Sequence, residues 1–418
     1  MYFLKNFKIN FLVIGVTALL TTTTLARNSD DDKTIHRFHQ SLLTIDSHVD
    51  ISREYMLSDD FDPGLKTHMK VDFDKMKRGG IDGVFFIVYV AQKKRDAAGY
   101  HAAYLAAMKK FTALHKMLDE DYPQQIKLAY SPEDVLKIHE QGKLIAMIGV
   151  ENGYPIDHNL EILDQFYHLG ARYMGLTHSG NNDICDSSSP SSKLGDNKNE
   201  DKGLSQFGRS VVKRMNDLGM MIDVSHASDQ CVKDVLTLSR APIIASHSGT
   251  RALMNHPRNL PDELLKQIAD KGGVIQIVGY TGFIKADPAR DKAFEELEAK
   301  VASHYHAREF SYKLHENTPE YIAGTNQINK DYPLATVQQY VDQIDHAVKI
   351  AGIDHVGISS DFDGGGELRG WEDASQSENI TRELLRRGYS KTDIQKIWSG
   401  NLLTTWKKIA SYRLKSLK

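Results

Sequence analysis

The sequence predicts an α/β fold, a (β/α)₈ barrel of the TIM type with insertions in its loops. Apolar, β-branched runs alternate with segments of helical composition along the chain, and eight strand–helix units can be counted. The strand runs are apolar throughout, which is typical of parallel strands buried on both faces. An open doubly wound sheet, the competing fold, usually has a Gly-rich phosphate loop after its first strand, and this sequence has none there.

The predicted elements follow one another in a regular order. The strands occur at residues 44–51, 80–90, 144–151, 173–179, 220–226, 242–248, 274–280 and 355–364. The helices occur at residues 102–118, 131–143, 160–170, 205–219, a segment through Leu236, 261–273 and 337–352, and two more close the chain. Ser131 and Pro132 mark one helix start clearly, because Ser is a favourable N-cap and Pro suits the first helical position. Residues 126–130 can add a ninth, accessory strand.

Two segments interrupt the alternation of strands and helices. Residues 186–203 are polar and of low complexity, and residues 281–335 form a long excursion with helical character. We interpret both as insertions in loops on the active face of the barrel. The predicted organisation is therefore a single barrel domain over residues 27–418.

The first 26 residues have the layout of a secretory signal peptide. Lys5 and Lys8 precede the short apolar run FLVIGVTALL, and small residues lead to a cleavage site after Ala26. The apolar run is short for the ~20 residues of a membrane span, which favours cleavage over an uncleaved anchor. We therefore expect an exported protein, periplasmic or secreted, with no stable membrane anchor after cleavage.

The composition is that of a soluble globular protein, 41% hydrophobic and 26% charged. The net charge is −3, and it becomes −5 without residues 1–26, which carry two lysines and no acid. The chain has no concentrated basic stripe, so nucleic acid is not an expected partner. Cys185 and Cys231 are too few for a Cys-based zinc site. In an exported protein they could pair, although one sequence does not show that they are close.

Ionisable side chains occur at the ends of six of the eight predicted strands. These residues are His48 with Asp50, Glu151, His178, His226, His247 and Asp361. Any one of them alone is best interpreted as a hydrogen-bonded or surface side chain. Because the carboxyl ends of barrel strands converge on one mouth, and unpaired buried ionisable groups are costly, the set together predicts a metal site.

The ligand types restrict the choice of metal. His48 and Asp50 are two residues apart in a strand, so their side chains point to the same face. Imidazole and carboxylate without thiolate suit zinc, and also manganese, iron or nickel. The set is large enough for two ions, which could activate a water for attack on a carbonyl or phosphoryl centre.

Several motifs in this chain resemble one enzyme family. In order they are TIDSHVDI, IGVENG, LTHSGNN, IDVSHAS, IASHSGTRALMNHPRNLPDE and GISSDFDG. They resemble the membrane (renal) dipeptidase family of zinc metallopeptidases, and the chain looks like an exported member of bacterial type. The likeness runs from about residue 40 to residue 405. It implies a metal-dependent, amidohydrolase-like (β/α)₈ barrel that hydrolyses dipeptides with metal-activated hydroxide.

The resemblance also implies five metal ligands for two Zn²⁺ ions per subunit. His48 and Asp50 would bind one ion, His226 and His247 the other, and Glu151 would bridge both. Homodimers are familiar in this family, so a second copy of the chain is an allowed partner beside dipeptide substrates.

Further roles follow from the same resemblance. His178 would contact the substrate and stabilise the oxyanion, and Asp361 would be the catalytic acid and base. Arg258 would bind the substrate carboxylate as a bidentate clamp, and Tyr280 would contact the substrate.

Two other functions remain open at this point. One is a different binuclear metal amidohydrolase acting on N-acyl amino acids, cyclic amides or phosphoesters. Such enzymes commonly show HxH on their first strand and a carboxylated Lys as bridge, whereas this chain has HVD and Glu151. The other is a non-catalytic binding protein, which would be expected to lack a ligand or the acid/base.

Overall fold

A computed structural model describes residues 31–197, 202–307, 310, 315 and 318–414 of the chain. Its contacts divide the chain into two units, with the boundary after Leu42. In the first unit, residues 31–39 form helix α1. The predicted signal peptide, residues 1–26, lies outside the described residues.

The second unit is built on a parallel sheet, which has nine strands within the described residues. The strands are β1 (Ile45–Asp50), β2 (Gly83–Tyr89), β3 (Ile126–Leu128), β4 (Leu144–Glu151), β5 (Ala171–Gly175), β6 (Met221–Asp223), β7 (Ile244–Ser248), β8 (Val274–Val278) and β9 (Val356–Ser359). Eight of them follow one another in chain order around a ring, and β3 lies off this path and pairs with β4. The accessory strand expected near residues 126–130 is therefore confirmed.

The ring closes at a seam between β1 and the residues after β9. Val49 bridges in parallel to Phe362, and the Asp50 N–H donates to the Phe362 carbonyl at 2.9 Å. The Asp361 N–H also donates to the His48 carbonyl, at 3.1 Å. The sheet is thus a nearly closed eight-stranded barrel, and the predicted (β/α)₈ fold is confirmed.

Helices follow the strands around the outside of the barrel. They are α2 (Phe73–Gly79), α3 (Ala97–His115), α4 (Pro132–Glu140), α5 (Leu160–His168), α6 (Gln206–Leu218), α7 (Asp229–Leu238), α8 (Asp262–Asp270), α9 (Thr281–Ile284), α10 (Pro288–His304), α11 (Pro319–Asp331), α12 (Val337–Ala351), α13 (Glu378–Arg386), α14 (Lys391–Gln395) and α15 (Asn401–Ala410). As predicted, the Ser131 side chain caps α4 by accepting from the Asp134 N–H. Among the helices that the structure describes, none has the length and apolarity that crossing a bilayer requires.

The amino-terminal end of the barrel is filled by a hydrophobic core. The first residues of several strands, among them Ile45, Ile244 and Val274, are buried there beside Trp406 of α15. The rings of Phe85 and Trp406 lie 5.9 Å apart, measured between centroids. This end is therefore packed shut, which leaves the carboxyl end for polar side chains.

Several predicted strands are shorter in the structure than the sequence suggested, among them β8, which ends at Val278 and leaves Tyr280 outside it. Strand β5 ends at Gly175, β6 at Asp223 and β9 at Ser359. As a result His178, His226 and Asp361 lie in the loops that follow these strands and not at strand ends. His226 and Asp361 have φ angles of 67° and 60°, a left-handed backbone that cannot continue a strand.

The two predicted insertions both follow carboxyl ends of strands. Residues 186–203, of which 198–201 are not described, connect β5 to α6. Residues 281–335 connect β8 to α12 and contain α9, α10 and α11. Helix α10 is tied to the end of α11, because Arg290 donates to Asn329 at 2.7 Å and to the Tyr332 carbonyl at 2.9 Å.

A disulfide joins Cys185 to Cys231, with their Cα atoms 6.1 Å apart. Cys185 belongs to the loop that follows β5, and Cys231 lies in the first turn of α7. Both cysteines are buried. The bond therefore ties the segment after His178 to the helix that begins just after His226.

We expect the Cys185→Ala/Cys231→Ala double variant to be less stable than the wild-type protein. The chain-entropy model gives up to about 4 kcal/mol for cysteines 46 residues apart. Urea unfolding of the oxidised wild-type protein and the variant measures the difference. Reductant added in urea should lower the wild-type midpoint to that of the variant. Equal midpoints for the oxidised wild type and the variant would contradict the prediction.

Candidate active site and metal centre

Glu151 lies at the centre of the polar cluster in the barrel mouth. It is the last residue of β4, and only 4% of its surface is exposed. Its Oε1 atom is 3.0 Å from His226 Nε2 and 3.3 Å from His247 Nε2. Its Oε2 atom is 3.6 Å from His48 Nε2. The two carboxylate oxygens therefore face two different groups of potential ligands, although the His48 and His247 rings lie 3.8 Å apart, measured between centroids.

The first group consists of His48 and Asp50 on β1. As expected from their spacing, both side chains reach the same point, with His48 Nε2 and Asp50 Oδ2 3.5 Å apart. The His48 Nε2 atom is buried and has no hydrogen-bond partner among the described residues. Its other ring nitrogen, Nδ1, is 3.0 Å from the Tyr173 hydroxyl. A buried nitrogen without a partner, surrounded by carboxylates, fits a cation ligand.

The second group consists of His226 and His247. Their Nε2 atoms are only 2.9 Å apart, and both face the same oxygen of Glu151. His226 reaches this position through its left-handed backbone, and its carbonyl accepts from the Ser188 N–H at 2.8 Å. Strained backbone of this kind clusters at functional sites. The potential ligand atoms of Glu151, His226 and His247 all lie within 4.8 Å of one another, and so do those of His48, Asp50 and Glu151.

The electrostatics of the cluster favour bound positive charge. Burial opposes the ionised form of Glu151, but the charges led by His48 outweigh it and hold the pKa of Glu151 well below its usual value. Burial also opposes a charged His48, yet Glu151 and Asp50 together raise its pKa well above 6.5. Burial, aided by neighbouring cations, lowers the pKa values of His226 and His247 well below 6.5. An ionised Glu151 beside neutral His226 and His247 is the ligand state that a metal ion needs, whereas His48 would have to release its proton to bind one.

His178 lies in the loop after β5, at the edge of the same cluster. Its Nε2 atom is 3.9 Å from Glu151 Oε1. Its ring centroid lies 4.1 Å from that of His226 and 4.7 Å from that of Tyr89. Burial lowers the pKa of His178 below 6.5. A neutral imidazole, able to donate one N–H, is thus held beside the group of His226 and His247.

Asp361 lies two residues after β9, on the side of His48. Its Oδ1 atom is 3.9 Å from His48 Nε2. The Gly366 N–H donates to the Asp361 carbonyl at 2.7 Å, which holds the turn that carries this side chain. Burial raises the pKa of Asp361 to about 8. The potential ligand atoms of Asp361, His48 and His247 also lie within 4.8 Å of one another.

Arg258 lies next to this cluster, and the Phe283 ring connects it to Tyr280. Arg258 is buried and donates to the His247 carbonyl at 2.8 Å and to Ser248 Oγ at 3.2 Å. Its Nε has no hydrogen-bond partner in the part of the chain that the structure covers. Burial lowers the pKa of Arg258 to about 10, so its charge persists at neutral pH. The Phe283 ring lies 4.5 Å from that of Tyr280 and 5.4 Å from the Arg258 guanidinium carbon.

Comparison with known proteins identifies the family. A sequence model of membrane dipeptidase, peptidase family M19, matches residues 32–418. The chain belongs to the membrane dipeptidase family. It is therefore a dipeptidase of a metallopeptidase family, which implies a metal cofactor, and its barrel mouth holds groups of residues that could bind one.

Relatives of this family member are known by sequence and by structure. Dipeptidase tcpJ of Claviceps purpurea is 28% identical over 361 residues, which cover 85% of this chain and 73% of that protein. The crystal structure of the probable dipeptidase PvdM from Pseudomonas aeruginosa has a TM-score of 0.79 at 33% identity, covering 91% of this chain and 98% of that one. A metallopeptidase from Rhodobacter sphaeroides, liganded with a phosphinate mimic of L-Ala-D-Ala, has a TM-score of 0.68 at 21% identity, covering 88% and 99% of the two chains.

Three further residues support the cluster, and none of them stood out in the sequence. Asp46 accepts from the His48 N–H at 3.2 Å and from the Ser360 N–H at 3.0 Å, across the barrel seam. Asp46 alternates with His48 and Asp50 along β1, so its side chain is expected on the same face of the strand. This spacing could have predicted its place beside the cluster. Tyr173 and Phe283 had no comparable signal, because only the folded barrel brings them to the histidines and to Arg258.

We expect divalent metal to stabilise this protein, because the buried ligand cluster exists only in the folded chain. At a free metal concentration one hundred times the dissociation constant, the gain is about 2.7 kcal/mol. Thermal unfolding with added metal and with chelator measures it. The Glu151→Gln variant should lose this dependence, whereas Glu383→Gln, which replaces a buried glutamate on α13, should retain it. A wild-type melting temperature insensitive to chelator would contradict the prediction.

Proposed function

We propose that this protein is a zinc dipeptidase with two Zn²⁺ ions per chain. His48 and Asp50 would hold one ion, His226 and His247 the other, and Glu151 would bridge them. The arrangement of two ligand groups on opposite oxygens of one buried carboxylate carries this proposal.

The donor set supports zinc as the metal. All five side chains are imidazoles or carboxylates, and both cysteines of the chain are joined in a disulfide. Zinc is commonly bound by such nitrogen and oxygen ligands. When bound, a pair of zinc ions supplies a nucleophilic water at neutral pH by lowering its pKa from about 15.7 toward ~7.

His178 would stabilise the negative charge that develops on the carbonyl oxygen of the scissile bond. Its ring is neutral because burial lowers its pKa, and it adjoins His226 at the side of the cluster. A neutral imidazole can donate one hydrogen bond to that oxygen. Removal of such a donor typically costs about 10²–10³-fold in rate.

Asp361 would carry the proton during the reaction. Burial raises its pKa to about 8 in the metal-free protein, and its carboxylate lies 3.9 Å from the proposed ligand His48. Its carboxylate would take the proton of the attacking water and deliver it to the nitrogen of the leaving amino acid. A group with a pKa near the working pH suits both tasks.

Arg258 would recognise the free carboxylate of the substrate. Two of its nitrogens are held by the His247 carbonyl and Ser248, and Nε is buried without a partner in the described part of the chain. A guanidinium fixed this way, with the Phe283 ring next to both it and the Tyr280 ring, can bind a carboxylate one residue beyond the scissile bond. That requirement selects dipeptides over longer peptides.

We also propose that the protein is exported. The amino-terminal layout of residues 1–26 supports this, and the Cys185–Cys231 disulfide suits an oxidising compartment.

The test is hydrolysis of L-Ala-L-Ala and L-Ala-D-Ala by purified residues 27–418, assayed with chelator and after zinc is added back. The second substrate is chosen because the Rhodobacter sphaeroides relative holds a mimic of it. We expect cleavage that chelator abolishes and zinc restores. If fully metallated protein cleaved neither, the proposal would fail, and N-acyl amino acids and cyclic amides would be the next substrates to assay.

We expect Arg258→Ala to raise KM for dipeptides about 10- to 100-fold, the effect of losing charged hydrogen bonds worth about 1.5–3 kcal/mol. Steady-state kinetics measures KM and kcat separately. A dipeptide amide, which lacks the carboxylate, provides the matched substrate, and wild type and variant should treat it alike. Arg214→Ala, which breaks the surface ion pair with Asp164, serves as the control and should leave KM unchanged. An unchanged KM in Arg258→Ala would remove this assignment.

A further inference from the structure

The second ring nitrogen of His247 faces a hydroxyl group. His247 Nδ1 lies 2.8 Å from Ser246 Oγ, and both residues are buried in β7. A neutral imidazole has one N–H, so this contact has two forms. Either Nδ1–H donates to the hydroxyl and Nε2 is bare, or the hydroxyl donates to a bare Nδ1 and Nε2 carries the proton. Only the first form leaves Nε2 free to bind a metal.

The carboxylate of Asp223 determines which of these two tautomers His247 adopts. Asp223 is the last residue of β6 and is buried. Its Oδ1 accepts the backbone N–H groups of Ser225 at 3.0 Å and Ser246 at 2.8 Å. Its Oδ2 lies 2.7 Å from Ser246 Oγ. Because an ionised carboxylate only accepts, the Ser246 hydroxyl must donate to it.

No other acceptor competes well for the Ser246 proton. Ser225 Oγ is 3.4 Å from Ser246 Oγ, much farther than the charged oxygen of Asp223. Ser225 Oγ is itself held by the His247 N–H at 3.0 Å. Hydrogen bonds to a charged acceptor are the stronger ones. The Ser246 oxygen therefore remains an acceptor for His247 Nδ1–H.

We infer that Asp223, acting through Ser246, fixes His247 in the Nδ1–H tautomer and so keeps Nε2 available for the metal. Asp223 and Ser246 are positioning residues, since neither is a proposed ligand. This inference rests on the proposed metal site, but the tautomer itself can be read without metal.

The Asp223→Asn variant gives an unusually specific test. The two backbone N–H groups at Oδ1 require a carbonyl oxygen there, so the amide nitrogen must take the place of Oδ2. That nitrogen donates to Ser246 Oγ, which frees the hydroxyl proton to point at His247 Nδ1. The hydrogen-bond relay from residue 223 through Ser246 to His247 is thus reversed in direction. His247 Nε2 becomes the protonated nitrogen. Ser246→Ala removes the relay but keeps the charge of Asp223.

The first readout is the tautomer in the metal-free protein. Nitrogen NMR of protein labelled with ¹⁵N-histidine distinguishes the two forms, and the signal lost in His247→Gln assigns the residue. We expect Nδ1–H in the wild-type protein and Nε2–H in Asp223→Asn. An Nε2–H tautomer in the wild type, or Nδ1–H retained in Asp223→Asn, would overturn the inference.

The second readout is zinc affinity, measured by competition with a chromophoric chelator. We expect the dissociation constant to rise about 10- to 100-fold in Asp223→Asn and about tenfold in Ser246→Ala, the usual range for partners of metal ligands. Asp72→Asn, which replaces a buried aspartate that caps α2, should bind zinc like the wild type. A loss of zinc affinity in Asp223→Asn with none in Ser246→Ala would mean that the charge of Asp223 alone affects zinc binding. That result would overturn the relay through Ser246. Failure of the wild-type protein to bind zinc would overturn the proposed function instead. The NMR measurement of the His247 tautomer in the metal-free protein would still test the relay.

Discussion

Glu151 places a carboxylate at the end of β4, where almost no water reaches it. An isolated charge in such a position is costly, and the protein meets that cost by surrounding both oxygens with imidazoles. His48 stands on one side, and His226 with His247 on the other. The division of the candidate metal ligands between the two oxygens follows from this one buried charge.

The barrel provides the rigid frame for this arrangement. Trp406 and the core around it pack the amino-terminal end shut, so polar side chains gather at the other end. The seam between Val49 and Phe362 brings the first strand beside the last. This closure places His48 and Asp361, which are more than three hundred residues apart in the chain, within 3.9 Å of each other. Ligands from distant segments can therefore be held by backbone hydrogen bonds of the sheet and not by loops alone.

Much of this could be predicted from the sequence, because parallel strands buried on both faces leave long apolar runs, and the polar residue that ends each run is conspicuous. His48, Asp50 and Glu151 were identified in this way and lie in the strands as expected. His226 and Asp361 were identified as site residues but assigned to strands that end earlier. His226 accepts a backbone hydrogen bond from Ser188, and Asp361 donates one to His48, both far away in the chain, so no local pattern reveals these conformations. The proximity of Cys185 to Cys231, and of the Tyr173 hydroxyl to His48, depends in the same way on the closed barrel.

The central claim, two ions on the two oxygens of Glu151, is tested most directly by X-ray diffraction at the zinc absorption edge from crystals of the zinc-loaded protein. The account predicts two anomalous peaks. One should lie between Glu151 and the pair His48 and Asp50. The other should lie between Glu151 and the pair His226 and His247. A single peak, or peaks that Glu151 does not contact, would contradict it.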